Sequence, residues 1–290
     1  MIKKARREME RQQQWQPGMP NPGIKNTVSN AGMPNPAMGA QVRKRVIPQI
    51  SEIPFQAKEA INVLRGNIQL SGYDLKVIAI TSALAHEGKS SIAFRLAKSL
   101  AGLKKRTLYL DCDIRNSMTI SRYNIQQKTI GLTEFLCGSA WLNEIIYETD
   151  DRWLDMIFTG VVAPNPSELV SGPLFEQLIT LMRDNYDYVI VDTPPVNAVI
   201  DGTLVAKRCD GTILVVESGI TERKQSVRAK KQLEYAGIKV LGAVLNKVGT
   251  KKDGYGYGYG YGYGYGYGYG EEKQKHKKTE KTSEVKTQQG

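Results

Sequence analysis

Short apolar runs alternate with segments of helical periodicity between residues 54 and 246. Most of these runs are rich in β-branched residues, which is typical of strands that are covered on both faces. Strands that alternate with helices in this way form a parallel sheet joined by helical crossovers. We therefore predict a doubly wound α/β fold, with its ligand site at the carboxyl ends of the strands.

The apolar runs place the predicted strands at residues 76–81, 106–110, 154–158, 188–191, 212–216 and 240–245. The helical spacing of Ile61, Leu64 and Ile68 indicates an amphipathic helix that ends near Ser71. The other predicted helices lie at residues 89–101, 173–185, 198–207 and 222–236, and Gly237 is a suitable stop for the last of them.

The first predicted strand leads into the phosphate-loop pattern G-x-x-x-x-G-K-[ST], with Ala83 in place of the first glycine. Gly88 lets the backbone wrap closely around phosphate groups, and the amides at the start of the next helix point at them. Lys89 would neutralise phosphate oxygens, and the Ser90 hydroxyl would coordinate Mg²⁺. The alternative is a chance Gly-Lys-Ser at a helix start. The strand before the loop and the helix after it favour a Rossmann-like P-loop NTPase fold that binds ATP.

Two further strands are predicted to end in carboxylates. Asp111 and Asp113 follow the strand at 106–110, and Asp192 follows the strand at 188–191. An aspartate at the tip of an apolar strand is the usual magnesium partner in P-loop proteins, so Asp192 should hold Mg²⁺ directly or through water. One of the other two could face the metal and the other the incoming nucleophile. Each aspartate alone could also be a strand-end turn residue.

The net charge of +11 lies mainly in the two ends of the chain. Residues 1–50 carry nine Lys/Arg against two acids, and residues 271–290 carry six Lys against four Glu. The nearly balanced remainder argues against nucleic-acid binding, and an anionic membrane surface is at least as plausible a partner for the ends. The Pro-, Asn- and Gln-rich residues 1–50 are predicted to be a disordered arm, either a tether or a docking segment.

The rest of the chain divides by composition. A globular domain is predicted for residues 51–250, a Gly-Tyr repeat for 251–270 and a disordered Lys/Glu-rich tail for 271–290. The three cysteines, Cys112, Cys137 and Cys209, have no paired spacing, which favours a reducing cytoplasm over a disulfide framework. The apolar stretch at residues 77–85 is far shorter than the ~20 residues that a bilayer requires.

Together these motifs resemble the bacterial tyrosine kinases, the P-loop autokinases of capsule and exopolysaccharide synthesis. The resemblance extends from about residue 54 to 270. The loop alone is generic, but the ensemble of motifs in this order is specific. The segments that carry the resemblance are residues 87–90, 110–115, 131–136, 164–169 and 186–195, and the terminal tyrosine cluster.

The resemblance implies a role for each residue of the site. Asp111 is then the base for the tyrosine hydroxyl, while Asp113 supports the metal or the γ-phosphate beside Lys89. Asn246 would lie near the adenine base, although a strand-to-turn role is equally compatible with its position. The residues implied to bind nucleotide are Glu87, Gly88, Lys89, Ser90, Ser91 and Asn246, and those implied to hold Mg²⁺ are Ser90, Asp113 and Asp192.

The Gly-Tyr repeat is the implied substrate. Glycine denies the segment regular structure, so each tyrosine could extend into the site of another subunit. Residues 250–270 could span up to ~66–72 Å when extended. A low-complexity adhesive linker is the alternative. The implied phosphoacceptors are Tyr255, Tyr257, Tyr259, Tyr261, Tyr263, Tyr265, Tyr267 and Tyr269.

The sequence departs from the family pattern in the phosphate loop, where Ala85, His86 and Ser91 replace Pro, Gly and Thr, and in the ring-forming motif. His86 stands where family loops usually have glycine, and it would either hinder or merely line the phosphate site. The ring-forming motif Glu-x-x-Arg-x-x-Arg appears as Glu59, Asn62 and Arg65, so its middle arginine is missing. Glu59 and Arg65 are therefore predicted at a weaker or differently sealed interface of a homo-oligomer.

The resemblance also implies partners. A separate cytoplasmic kinase of this type would be activated by a transmembrane polysaccharide co-polymerase at the inner face of the membrane, and a tyrosine phosphatase would reverse its action. One rival is a positioning ATPase of the partition or septum-site type, but Leu84 occupies the place of the signature lysine of that class. The other rival is an ATP-binding scaffold without turnover.

Overall fold

A computed structural model describes residues 44–72 and 74–249. The greater part of the predicted arm, the tyrosine cluster and the Lys/Glu-rich tail lie outside the described residues. Among the described residues, no helix combines the length and the apolar composition that a membrane span requires.

In the described part of the chain, seven strands form one sheet in the order β3-β4-β2-β5-β1-β6-β7. All neighbours pair in parallel except β3 and β4, which are antiparallel. The predicted mostly parallel sheet is therefore confirmed. The strands are β1 (Val77–Ser82), β2 (Thr107–Asp111), β3 (Ile146–Glu148), β4 (Leu154–Ile157), β5 (Tyr188–Asp192), β6 (Gly211–Glu217) and β7 (Val240–Asn246).

Helices lie between the strands, as the sequence predicts. The four longer ones are α1 (Phe55–Leu70), α2 (Lys89–Ala101), α7 (Pro173–Asn185) and α9 (Arg223–Tyr235). The shorter ones are α3 (Thr119–Arg122), α4 (Leu132–Leu136), α5 (Leu142–Ile145), α6 (Pro166–Ser171) and α8 (Asp201–Ala206). The helix predicted at 198–207 is thus shorter than expected, because the chain after Pro195 first passes through a turn before α8 begins.

Both faces of the central strands are covered, which explains their continuous apolar runs. On one face, Ile61 of α1 and Phe94 of α2 pack with Tyr109 of β2. On the other, Phe175 and Met182 of α7 belong to a second buried cluster. Burial on both sides leaves the carboxyl ends of the central strands as the accessible edge of the sheet.

The register of the central strands sets the spacing of the site. Asp111, the last residue of β2, pairs with Asp192, the last residue of β5. On the other side of β5, Ile80 of β1 pairs with the same Asp192. The loop that follows β1 therefore emerges beside two carboxylates that the sheet holds next to each other.

Residues 44–50 belong to the folded domain rather than to an extended arm. The side chain of Val46 is 2% exposed, and its amide donates to the carbonyl of Glu148 at 2.8 Å. The amide of Glu148 in turn donates to the carbonyl of Lys44 at 3.0 Å. The predicted arm of residues 1–50 therefore overlaps the domain at its C-terminal end, where a short pairing continues the sheet beyond β3.

Candidate nucleotide and phosphoryl-transfer site

The phosphate loop begins where β1 ends and continues into α2. Ala83 is completely buried and packs with Ala79 and Val196, so its methyl group fills core space at the position of the missing glycine. Gly88 has φ +93°, and a Cβ at that position would lie 2.1 Å from Nδ2 of Asn246. Glycine is therefore required at residue 88 by conformation and by space.

His86 also adopts a left-handed conformation, with φ +66°. A residue with a Cβ is disfavoured there by roughly 1–2 kcal/mol, which explains why family loops usually have glycine at this place. Its side chain is exposed and points away from the core. His86 therefore strains the backbone of the loop, while its ring remains in solvent.

Glu87 is a buried acid that ties the loop to its surroundings. Its Oε2 accepts the amide of Leu84 at 2.7 Å. Its Oε1 accepts the hydroxyl of Thr221 and, at 3.4 Å, the amide of Glu217. The carboxylate thus stabilises the loop itself, which leaves the backbone of Glu87 as the part that can face a nucleotide.

Lys89, the first residue of α2, forms an ion pair with Asp113. Its Nζ lies 2.9 Å from Oδ2 of Asp113, and both side chains are largely buried. Burial lowers the pKa of Lys89, but the negative charges of Asp192, Asp113 and Asp111 outweigh burial and raise that pKa overall. Lys89 is therefore a fixed positive charge among three carboxylates.

Asp192 lies at the centre of this group and is 1% exposed. Tyr109 donates its hydroxyl to Oδ2 of Asp192 at 3.1 Å. Burial raises the pKa of Asp192 to about 7, while the charge of Lys89 and the nearby hydroxyl of Ser90 oppose that shift. Among the described residues, Oδ1 of Asp192 finds no hydrogen-bond partner. A cation beside it would relieve the cost of that orphaned oxygen.

These features fit a magnesium ion. Hard oxygen ligands suit Mg²⁺, which keeps several waters and binds through one or two carboxylates plus substrate phosphates. Within residues 44–72 and 74–249, no group of three or more His, Cys, Asp or Glu side chains forms a dedicated metal cluster. A site of Asp192 and the Ser90 hydroxyl, completed by phosphate and water, agrees with both facts.

Asp111 is completely buried next to Asp192. Its Oδ1 accepts the amide of Asp113 at 3.1 Å, and its Oδ2 accepts the hydroxyl of Ser117. Burial is the main cause that raises the pKa of Asp111. A carboxylate oxygen has two acceptor positions, so these bonds leave capacity for a further proton.

A second layer of polar contacts holds the motif after β2. Arg115 donates from Nε to the buried Asp201 at 2.5 Å, and the hydroxyl of Ser167 donates to the same carboxylate. This joins the chain after β2 to α6 and α8. Asp201 and Tyr109 could not be predicted as site residues, because an acid at a helix start and an aromatic residue within a strand are both typical of purely structural positions.

The remaining predicted residues lie in three places. Ser91 accepts a hydrogen bond from Nη1 of Arg122 at 2.7 Å on the surface of α2, and Nδ2 of Asn246 donates to the carbonyl of Glu87 at 2.9 Å. Arg65 of α1 donates from Nη1 to Oγ of Ser99 at 2.8 Å, within the same chain. Glu59 accepts Nδ2 of Asn62 at 2.9 Å. The predicted interface residues therefore lie on α1, outside the loop and carboxylate cluster.

Several curated proteins are similar in sequence to this chain. The family described as AAA domain matches residues 75–219. Tyrosine-protein kinase CpsD of Streptococcus agalactiae serotype III (strain NEM316) is 41% identical over 193 residues, which are 67% of this chain and 83% of that protein. Tyrosine-protein kinase YwqD of Bacillus subtilis (strain 168) is 35% identical over 210 residues, or 72% and 88% of the two chains. This chain belongs to the bacterial tyrosine kinase family. It is therefore a protein-tyrosine kinase.

Solved structures agree with this assignment. The kinase is 32% identical to the kinase domain of the Escherichia coli tyrosine kinase ETK, with a TM-score of 0.65 over 73% of this chain and 87% of that one. The septum site-determining protein MinD of Pyrococcus horikoshii OT3, complexed with Mg-ADP, matches with a TM-score of 0.54 over 61% of this chain and 72% of that one, at 21% identity. The second likeness shows the fold alone. A P-loop fold of this kind implies nucleotide binding by the kinase.

Proposed function

We propose that the kinase transfers the γ-phosphoryl group of ATP to the tyrosines of the Gly-Tyr repeat in another copy of the chain. The observation that carries this proposal is the convergence of Lys89, Asp113, Asp111 and Asp192 at the carboxyl ends of β2 and β5 and the start of α2. Phosphoryl transfer needs positioning and charge neutralisation more than covalent chemistry. A lysine and three carboxylates beside a phosphate loop supply both.

Each residue has a distinct task in this proposal. Lys89 exchanges its contact with Asp113 for the β- and γ-phosphate oxygens, and the amides of Gly88, Lys89, Ser90 and Ser91 surround the phosphates. Ser90, Asp192 and Asp113 would hold Mg²⁺, which would neutralise charge on the phosphates. Asn246 and the backbone of Glu87 complete the nucleotide side of the site.

The transfer step places Asp111 opposite the nucleotide. The tyrosine oxygen bonds to the γ-phosphorus as the bond from that phosphorus to the bridging oxygen of ADP breaks. The phenolic proton passes to Asp111, and ADP leaves. The raised pKa of Asp111, which results chiefly from burial, makes this carboxylate a better proton acceptor than a solvated aspartate.

The proposal extends to regulation and partners. Phosphorylation of the repeat would control capsular or exopolysaccharide synthesis and export. A transmembrane polysaccharide co-polymerase would activate the kinase and keep it at the cytoplasmic face of the membrane. A tyrosine phosphatase would remove the phosphates. Glu59 and Arg65 of α1 would contribute to the interface of a homo-oligomer.

Mixing two variants tests transfer between copies. Lys89→Met retains the tyrosines but loses the site lysine, whereas changing the eight repeat tyrosines to Phe retains the site but loses the acceptors. Each variant alone with Mg-ATP is expected to gain no phosphate on the repeat, while the mixture phosphorylates the Lys89→Met chain. Intact mass and phosphotyrosine detection, with and without the activator, provide the readout.

Two outcomes would contradict the proposal. An unphosphorylated Lys89→Met chain in the active mixture would exclude transfer between copies. ATP hydrolysis by the natural sequence without phosphate on any tyrosine would favour a positioning ATPase, and nucleotide binding without turnover would favour a scaffold.

A further inference from the structure

The end of β7 contacts the phosphate loop through two consecutive side chains. Nδ2 of Asn246 donates to the carbonyl of Glu87 at 2.9 Å, and Nζ of Lys247 donates to the carbonyl of His86 at 2.8 Å. These carbonyls belong to neighbouring peptide groups of the loop. Two adjacent residues therefore hold two adjacent peptide groups.

The geometry of the peptide bond gives these contacts a consequence for the amides. In a trans peptide the carbonyl and the next amide point in opposite directions. The carbonyl of His86 shares its peptide plane with the amide of Glu87, and the carbonyl of Glu87 shares its plane with the amide of Gly88. With both carbonyls directed at the end of β7, these amides are directed away from it, as in the anion-binding nests of phosphate loops.

Lys247 is itself fixed in place. Its Nζ lies 2.8 Å from Oε2 of Glu217 at the end of β6, and its backbone has φ +56°. The loop side of the contact also needs support, because His86 is a non-glycine residue with φ +66°. Backbone strain of this kind persists only where surrounding contacts over-determine the conformation.

We propose that Lys247 is a positioning residue for the nucleotide, which acts by holding the His86 peptide so that the amide of Glu87 faces the phosphates. The proposal rests on nucleotide binding at this loop and deepens it. Lys247 does not need to touch the nucleotide in this role. Asn246 holds the next peptide in the same way, and the packing of its amide against Gly88 keeps that residue free of a side chain.

The test compares ADP affinity in Lys247→Met and in a matched control. The control residue is Lys230, which is also exposed. Its Nζ pairs with Glu234 in the same helix, α9, at 3.0 Å rather than with the phosphate loop. We expect Lys247→Met to bind ADP about tenfold more weakly than the natural sequence, as for a lost hydrogen bond from a charged donor. Lys230→Met should bind within about twofold of the natural sequence. Isothermal titration calorimetry measures both.

Salt separates positioning from simple attraction between Lys247 and the phosphates. At about 1 M salt the screening length falls to about 3 Å, so a long-range charge effect would disappear. We expect the difference in ADP affinity between the natural sequence and Lys247→Met to persist at this salt concentration. Lys247→Arg should recover only part of the lost ADP affinity. Hydrogen exchange of the peptide that contains residues 83–90 should become faster in Lys247→Met and stay unchanged in Lys230→Met.

Glu217→Gln keeps the test decisive if Lys247→Met does not fold. This variant removes the ionic partner of Lys247 and leaves the contact with His86, so we expect a smaller loss of ADP affinity. An equal ADP affinity in Lys247→Met and the natural sequence would overturn the proposal, as would a loss that vanishes at high salt. If Lys247→Met does not fold, an ADP affinity of Glu217→Gln equal to that of the natural sequence would overturn it. If the natural sequence does not bind ADP at all, the proposed function fails first.

Discussion

The site combines one positive side chain, Lys89, with the carboxylates of Asp111, Asp113 and Asp192. All four are largely removed from water. Burial is the main cause that raises the pKa of Asp192 despite its lysine neighbour, and the negative charges of Asp111 and Asp113 add to that rise. A site with this balance favours added positive charge, and a magnesium nucleotide brings a divalent cation together with phosphates for Lys89.

The raised pKa of Asp192 predicts a pH-dependent stability of the nucleotide-free kinase. Its pKa is about 7 in the folded protein against 3.8 for the free side chain, so the folded state binds more protons between these values. Stability contributed by the protonated form is present below pH ~4 and is lost as pH rises through ~7. Asp192→Asn should remove this loss and be more stable than the natural sequence by roughly 1–3 kcal/mol above pH 7.

Urea unfolding across this pH range measures the effect, with Asp184→Asn as a control for the loss of one exposed carboxylate. If the free energy of unfolding depended on pH in the same way in Asp192→Asn and the natural sequence, the raised pKa of Asp192 would be contradicted. Mg-ATP should stabilise the natural sequence more than Asp192→Asn, because the variant lacks the carboxylate assigned to the metal.

Gly88 allows a prediction about the loop backbone. Gly88→Ala forces a Cβ into φ +93° and to within 2.1 Å of Nδ2 of Asn246. We expect this variant to lose about 1–3 kcal/mol of stability and most of its nucleotide affinity. Gly66→Ala is the matched control, because a Cβ there meets nothing within 4 Å in the middle of α1. The control should be neutral or up to about 1 kcal/mol more stable in thermal unfolding. Equal effects of the two substitutions would contradict this reading.

At the level of helices and strands, Asp201 is the joint between the chain after β2, α6 and α8. Its carboxylate accepts hydrogen bonds from Arg115 and Ser167, and the residue is only 2% exposed. Removing a buried acceptor leaves two donors to find water or other partners. The motif residues at 110–115 and 164–169 therefore depend on an acid that belongs to neither motif.

Asp201→Asn should lower the free energy of unfolding by about 1–2 kcal/mol, because a charge-assisted pair with Arg115 becomes a neutral contact. Glu176→Gln serves as the control, since its pair with Arg208 is more exposed. That substitution should cost less than about 0.5 kcal/mol. Chemical denaturation measures the free energy of unfolding of both variants. A loss of stability for Glu176→Gln as large as that for Asp201→Asn would contradict the linking role of Asp201.

The elements differ in how far the sequence could predict them. Five of the six parallel strands are apolar runs of the kind that burial on both faces produces, and β7 at the sheet edge is an apolar run that is only partly covered, so their positions could be predicted. β3 and the helices α3–α6 have three to six residues each and contain too little of a period to recognise. Lys89, Ser90 and the three aspartates occupy local motif positions. The partners Tyr109, Asp201 and Lys247 become visible only when the strand order brings distant segments together.

For the whole molecule, the eight tyrosines of the repeat carry the main prediction. Each phosphate adds roughly −1.5 to −2 charges at neutral pH, so full modification adds about −12 to −16. Repeats with such charge repel each other when several copies assemble. We expect phosphorylated kinase to form smaller oligomers than dephosphorylated kinase. Light scattering of both forms measures this, and an unchanged mass would contradict it.

The pairing of residues 44–46 with β3 bears on solubility. An unpaired strand edge is a template for pairing with another molecule, and natural sheets protect such edges. The carbonyl of Lys44 accepts the amide of Glu148, and the amide of Val46 donates to the carbonyl of Glu148. The side chain of Val46 is buried. A chain shortened to begin at residue 51 would uncover this edge, whereas one that begins at residue 44 would keep it covered. The first should aggregate during storage and the second should stay dispersed, so a few residues before the first helix protect the fold from self-association.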